Sequence, residues 1–154
     1  MQERKDKWTV GQWMTSNPRT VAPDESVRSA FYTMRAEGFR HLLVAEEGEL
    51  VGIVTDRDLR RPDITPDAEG WNDYYQLNDD TEVRHVMTGN VRTLTPSDSL
   101  EKALSQFIDH KIGGMPVLDK KGQIIGILTT FDLLMGFQAT LGAVGGLLRL
   151  EQAG

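Results

Sequence analysis

Cysteine is missing from this 154-residue chain, which excludes disulfides and thiolate chemistry and permits a reducing compartment. Long apolar runs are missing as well, and nothing approaches the roughly 18 residues that a membrane-spanning helix requires. The first ten residues, MQERKDKWTV, lack the apolar h-region of a signal peptide, so a cytoplasmic protein without membrane association is expected. Positive charge is scarce: 17 Lys and Arg stand against 23 Asp and Glu, for a net charge of −6. The cations are scattered rather than gathered into a basic stripe, which argues against nucleic acid as a partner. Only three histidines occur, His41, His85 and His110, and with no cysteine their spacing forms no metal site. His85 and His110 read as ordinary surface or helix-end residues. No Walker loop, Ser-His-Asp order or isolated acid pair points to catalysis, so neither a catalytic residue nor a catalytic cofactor is expected.

What the chain does contain, it contains twice. Residues 10–59 align with residues 83–133 at an offset of 73, which becomes 74 after one extra residue just before Gly122. Met14-Thr15 then falls on Met87-Thr88, Pro23 on Pro96 and Ala30 on Ala103. Gly52, Thr55 and Asp58 fall on Gly126, Thr129 and Asp132. Two copies filling most of a short chain imply paired, pseudo-symmetric units, since one 50-residue copy buries too little apolar surface alone.

Each copy reads as β-α-β-β-α, an α/β (α+β) arrangement. A lead-in helical turn covers residues 10–14 or 83–87, and a short extended stretch follows at Thr20-Val21 or Thr93-Leu94. Asp24 or Ser26 caps a helix whose buried stripe is Val27, Ala30, Phe31 and Met34, at i, i+3, i+4 and i+7. The second copy places Leu100, Ala103, Leu104 and Phe107 there, and Gly38 ends the first helix. Apolar runs at residues 42–44 and 50–54 flank a turn at residues 46–49, and 116–118 and 124–128 flank 119–122. Both read as hairpins of buried strands, each running into a second helix after Thr55 or Thr129.

These signals divide the chain into repeat 1 (residues 1–61), a linker (62–82), repeat 2 (83–135) and a C-terminal helix and tail (136–154). The stretch 60–82 carries two prolines and seven acidic residues, with Trp71, Tyr74 and Tyr75 spaced to fit one helical turn. That turn reads as an apolar anchor for the connection, or else as a stacking surface for a ligand. The tail, LLMGFQATLGAVGGLLRLEQAG, reads as a helix weakened by Gly136, Gly142 and Gly145-Gly146.

Thr55 and Thr129 each sit where a strand hands over to a helix, whose first amides carry partial positive charge and suit an anion. A Thr hydroxyl there is placed for a phosphate, and the carboxylate of Asp58 or Asp132 for two ribose hydroxyls. On spacing alone, Thr-x-x-Asp is also a capping box, in which the Thr caps the helix and the acid bonds back. Gly52 and Gly126 let another backbone approach in mid-strand.

Met-Thr, then Thr-x-x-Pro, an amphipathic helix and a hairpin ending Gly-Ile-x-Thr-x-x-Asp-Leu is similar to the pattern of cystathionine-β-synthase-type (CBS) domains. It occurs as Met14-Thr15, residues 20–23 and 52–59, and again as Met87-Thr88, 93–96 and 126–133. With the variants GFRHLLV and KIGGMPV, the chain most resembles stand-alone tandem CBS proteins of the acetoin-utilisation B type, though it leaves no room for their extra C-terminal domain. The resemblance implies two CBS repeats packed as a pseudo-two-fold Bateman module, with adenosine-containing ligands such as AMP or ATP held in clefts between the copies. It implies that Thr55, Asp58, Thr129 and Asp132 hold ribose and phosphate, and that the backbone of Thr20-Val21 and Thr93-Leu94 faces adenine. Arg40 is a further candidate for phosphate, with Arg57, Arg60 and Arg61, and Gly114 leaves room for a ring. Because Asp56 would repel phosphate and Thr130 would not, unequal sites are expected, with the one at Thr129 and Asp132 the better binder.

The function this implies is regulatory: an adenine nucleotide or related adenosyl compound is sensed, and an unknown partner protein is altered in trans. The alternative is a structural or interaction module with empty clefts, and an enzyme acting on nucleotides ranks last. A homodimer is expected, with Met34, Phe107 and residues 133–148 as its candidate surface.

Overall fold

The computed structural model describes residues 8–60 and 80–152. The aromatic turn expected at Trp71, Tyr74 and Tyr75 lies outside the described residues, as does Arg61. The elements are α1 (Val10–Trp13), β1 (Thr15–Ser16), β2 (Thr20–Val21), α2 (Val27–Glu37), β3 (His41–Glu46), β4 (Glu49–Thr55) and α3 (Asp56–Leu59). After a 3-10 turn at Val83–His85 come α4 (Leu100–His110), β5 (Gly114–Leu118), β6 (Ile124–Thr129) and α5 (Thr130–Gln152). The strands form two sheets, β2-β3-β4 and β1-β6-β5. Among the described residues no helix is long and apolar enough to cross a membrane.

In the first unit, the Ser26 side chain accepts from the Ser29 amide and starts α2, and Gly38 stops it in the left-handed conformation at φ 74°. Val27, Ala30 and Met34 line the buried face of α2, with Phe31 half-buried beside them. Strand alternation turns Leu42, Val44 and Val54 toward that face. β3 and β4 are antiparallel and join through Glu47 and Gly48, at φ 51° and 86°, the positive angles that a two-residue hairpin turn needs. β2 joins the sheet in parallel, Thr20 opposite Leu43 and Val21 opposite Val44.

The second unit repeats this plan. Ser99 caps α4, and Leu100, Ala103 and Phe107 pack with Leu94, Val117 and Leu128. Leu94 makes an isolated parallel bridge to Val117 where the first unit has β2. Leu104, expected in the buried stripe, is exposed. It sits one position past Ala103, at the edge of the apolar arc.

The packing units cross the repeat boundaries. The lead-in of repeat 2 belongs to the first unit: Val83 is fully buried in that core, Val83 N donates to Glu25 O at 2.8 Å and Arg84 N to Pro23 O at 2.9 Å. The lead-in of repeat 1 belongs to the second: Val10 N donates to Asp98 O and Gly11 N to Pro96 O, both at 2.9 Å. The mid-strand glycines explain the exchange. A Cβ on Gly52 would lie 2.5 Å from Met87 Sδ and 3.0 Å from Thr88 O; one on Gly126 would lie 2.5 Å from Met14 Sδ and 3.1 Å from Thr15 O. The backbone that approaches these glycines is therefore the Met-Thr pair. β1 pairs Thr15 with Ile127, and Thr88 bridges Ile53 in the matching place.

The C-terminal region also differs from expectation. α5 runs from Thr130 to Gln152 as one helix, so the second helix of repeat 2 and the expected tail helix are continuous. Gly136 does not weaken it at random: a Cβ there would lie 1.1 Å from Trp13 Cζ3, so this glycine is the seat of the indole. Trp13 in turn stacks on Trp8 with ring centroids 5.3 Å apart.

The glycines therefore separate by role. Gly52→Ala should lower stability by about 1 to 3 kcal/mol, because methionine and backbone must both give way. Gly142→Ala should raise it by up to about 1 kcal/mol, because nothing lies within 4 Å of that position and alanine favours the helix. Urea unfolding of both variants checks the contrast, and a neutral Gly52→Ala would contradict it.

Candidate functional site

Three residues beyond Gly52, β4 ends at Thr55 in extended geometry (φ −109°, ψ 161°) and α3 begins at once. The Asp58 amide donates to Thr55 Oγ1 at 3.2 Å. Asp58 Oδ2 accepts from the Thr55 amide at 2.9 Å and from its hydroxyl at 2.8 Å. The capping box foreseen as an alternative is thus formed. It also holds the carboxylate in one orientation and leaves Oδ1 with no bond from the described residues.

β3 brings further groups to this junction. His41 lies opposite Thr55, so their side chains share a sheet face, and Leu43 puts Thr20 on that same face. Arg40 precedes His41, is exposed, and accepts the Asp56 amide on its carbonyl at 3.1 Å. His41 is half-buried. Burial pulls its pKa below the ordinary value, Asp58 opposes that shift and Arg40 reinforces it. Arg60 is committed to Asp56 Oδ1 at 2.9 Å and lies over the Phe31 ring, which removes it from the phosphate candidates and offsets the Asp56 charge. Val21 points into the core, so only its backbone is available to a ligand.

The second junction matches the first atom for atom at its centre. Asp132 Oδ2 accepts from the Thr129 amide at 2.8 Å and hydroxyl at 2.9 Å, and the Asp132 amide donates to Thr129 Oγ1 at 3.3 Å. Thr130 N donates to Gly113 O at 3.0 Å, as Asp56 N does to Arg40 O. Gly114 opens β5 and is buried, in the place His41 holds in the first unit. Thr93 is exposed, while Leu94 is in the core, and its amide and carbonyl are engaged with Pro116 O and Leu118 N, both at 2.9 Å. Thr93, next to it, therefore has the more accessible side chain.

Two residues of this geometry were missed in the sequence. His41 was legible in principle, since strand alternation places it two residues from Leu43. Thr15, whose hydroxyl donates to Asp132 Oδ1 at 3.0 Å across 117 residues, was not, because the exchange of lead-in segments leaves no local signal.

Each strand-to-helix junction thus presents an oriented carboxylate and a Thr hydroxyl at a helix start, groups with the chemistry to accept hydrogen bonds from a polar ligand and donate them to it. A family model for the CBS domain matches residues 10–62 and 83–138, and the chain belongs to the CBS-domain family. It is 33% identical over 133 residues to a CBS domain-containing protein of Dictyostelium discoideum, covering 83% of this chain and 90% of that one. It is 29% identical to an uncharacterized protein, MJ1225, of Methanocaldococcus jannaschii, covering 83% of this chain but only 46% of that one. Among solved structures, CBSX2 in complex with AMP superposes with a TM-score of 0.71 at 29% identity, covering 86% of this chain and 98% of that one. An acetoin utilization protein (AcuB) from Vibrio cholerae gives 0.67 at 25% identity, covering 95% and 96%. The CBS pair of MJ0100 in complex with 5′-methylthioadenosine and S-adenosyl-L-methionine gives 0.68 at 25% identity, covering 84% and 98%.

His41 gives this site a pH signature. Because its pKa is depressed on folding, the unfolded chain takes up the proton first, and stability declines as pH falls through and below about 6.5. Urea unfolding between pH 7.5 and 5.5 should show a smaller decline for His41→Gln than for the native chain, and equal declines would contradict the placement.

Proposed function

We propose that this chain is a regulatory module that binds an adenosine-containing ligand, AMP being the first probe, and passes its ligation state to a partner protein in trans. The observation that carries the reading is the pair of Thr–Asp junctions, each holding a carboxylate in one orientation where a strand hands over to a helix, in a chain of the CBS family. An ionised carboxylate accepts ribose hydroxyls, the Thr hydroxyl lies beside it, and in the first unit Arg40 and His41 adjoin the junction as the phosphate contacts of this reading. The AMP and adenosyl complexes of CBSX2 and MJ0100 support the ligand class. Such a ligand changes a partner only by binding one state of the module better than another. The reading is one of sensing, with no catalytic step assigned.

Asp58→Ala should weaken AMP binding about ten- to hundredfold, the value of a charge-assisted hydrogen-bond pair, while costing roughly 1 kcal/mol of stability as a lost cap. Calorimetry and urea unfolding read the two effects separately. Lost stability with unchanged AMP affinity would leave Thr-x-x-Asp as a cap alone, and the absence of any adenosyl-ligand binding would favour the interaction-module reading.

The assembly that fits this reading is a homodimer through the α5 part of the expected surface, without Met34 and Phe107. Met34 and Phe107 are buried in their own cores and cannot serve. On α5, Phe131, Leu134, Met135, Phe137 and Leu141 are each more than half exposed. Residues 133–148 carry no charge. The five side chains present roughly 600 Å² per copy, enough for a standard two-fold interface. Light scattering should give twice the 17.2 kDa chain mass, and Leu134→Glu with Phe137→Glu should halve it. A native monomer would overturn the dimer and leave the ligand reading intact.

A further inference from the structure

The two junctions differ in one atom's engagement. Asp58 Oδ2 takes both bonds from Thr55, and its Oδ1 accepts none from the described residues. Asp132 Oδ2 takes both bonds from Thr129, and its Oδ1 also accepts the Thr15 hydroxyl at 3.0 Å. The repeat matches Thr15 with Thr88, whose backbone does the equivalent work, bonding Ile53 N and O at 3.0 and 2.9 Å. Its hydroxyl makes no bond to Asp58. The duplicated backbone is therefore the same at both places, and the side-chain bond exists at only one.

We propose that Thr15 ranks the two sites, by occupying at Asp132 the carboxylate oxygen that is open at Asp58. Resting on the ligand class proposed above, this makes the Asp58 site the tighter one for a vicinal diol, the reverse of the order expected from Asp56 and Thr130. A carboxylate holds two neighbouring hydroxyls best when each can reach an unengaged lone pair. At Asp58 the ligand meets an Oδ1 that accepts no bond from the described residues. At Asp132 a ligand hydroxyl either shares Oδ1 with Thr15 or displaces it, and displacement forfeits one charge-assisted hydrogen bond, about tenfold in affinity.

Displacement would also be felt beyond the site. Thr15 lies in β1, opposite Ile127; its neighbour Met14 is seated on Gly126, and Trp13 is seated on Gly136 and stacked on Trp8. Moving the Thr15 side chain perturbs the segment that carries both indoles. Filling the Asp132 site thus displaces a side chain of the N-terminal segment, whereas at the Asp58 site no Thr88 side-chain bond has to break.

The test is AMP titration of the full chain by calorimetry, with tryptophan fluorescence followed in a Trp71→Phe background. The native chain should show two affinity classes, the tighter lost in Asp58→Asn and the weaker in Asp132→Asn, with the fluorescence change tracking the weaker class. Thr15→Val, which keeps the side-chain shape and removes the donor, should tighten the weaker class about tenfold and leave the tighter class unmoved. Thr15→Ser, which restores a donor, should return the native ranking. Equal affinities in the native chain, or a Thr15→Val chain with unaltered affinities, would overturn the role of Thr15 while leaving the ligand class standing. No AMP binding by any of these chains would overturn both. Urea unfolding of each variant confirms that a change in binding is not a loss of fold.

Discussion

A methionine seated on a bare strand is the contact from which the rest of this structure follows. Gly52 and Gly126 are placed so that no side chain of any size fits between their strands and the approaching Met-Thr pairs. Each pair comes from the other repeat, so neither 50-residue copy completes its own core. Val83 fills the core of the first unit and Val10 that of the second, and both are fully buried. The matched bonds from Val83 and Arg84 to Glu25 and Pro23, and from Val10 and Gly11 to Asp98 and Pro96, hold the exchanged segments in register. A small repeat that lacks enough apolar surface alone is thereby stabilised by its duplicate.

The same strands carry the sites. Thr55 lies three residues beyond Gly52 and Thr129 three beyond Gly126, so the strand that receives the methionine also ends in the threonine that orients the Asp58 or Asp132 carboxylate. The duplication fixes the centre of each junction, and divergence around it makes the two junctions unequal. Arg40 and His41 stand where repeat 2 has Gly113 and Gly114, and the Thr15 bond to Asp132 has no counterpart at Asp58. Two similar sites with different affinities respond over a wider range of ligand concentration than two identical ones. Under the proposed reading that property widens the range of a sensor, whose output depends on differential binding between states.

Much of this was legible in the residues. The helix starts at Ser26 and Ser99, the Gly38 stop, the Glu47-Gly48 turn and the Thr-x-x-Asp boxes are local, and short-range chemistry specifies them. What could not be read depends on which surface covers which. Leu104 has the spacing of a buried residue yet is exposed, and Met34 and Phe107 are deeper in their cores than a shared surface allows. Gly136 looks like a helix breaker until the Trp13 ring is placed against it. Thr15 meets Asp132 only because the lead-in segments are exchanged, and periodicity within a repeat carries no trace of that.

Each Thr–Asp junction and the lead-in of the other repeat form one cooperative body. Amide hydrogen exchange with and without AMP measures it most directly. Occupancy of the Asp58 site should slow exchange at the Thr55 and Asp58 amides and, equally, at those of Val83, Arg84 and Thr88, which bond Glu25, Pro23 and Ile53. Protection confined to Thr55 and Asp58, with Val83, Arg84 and Thr88 exchanging as in the free chain, would contradict it.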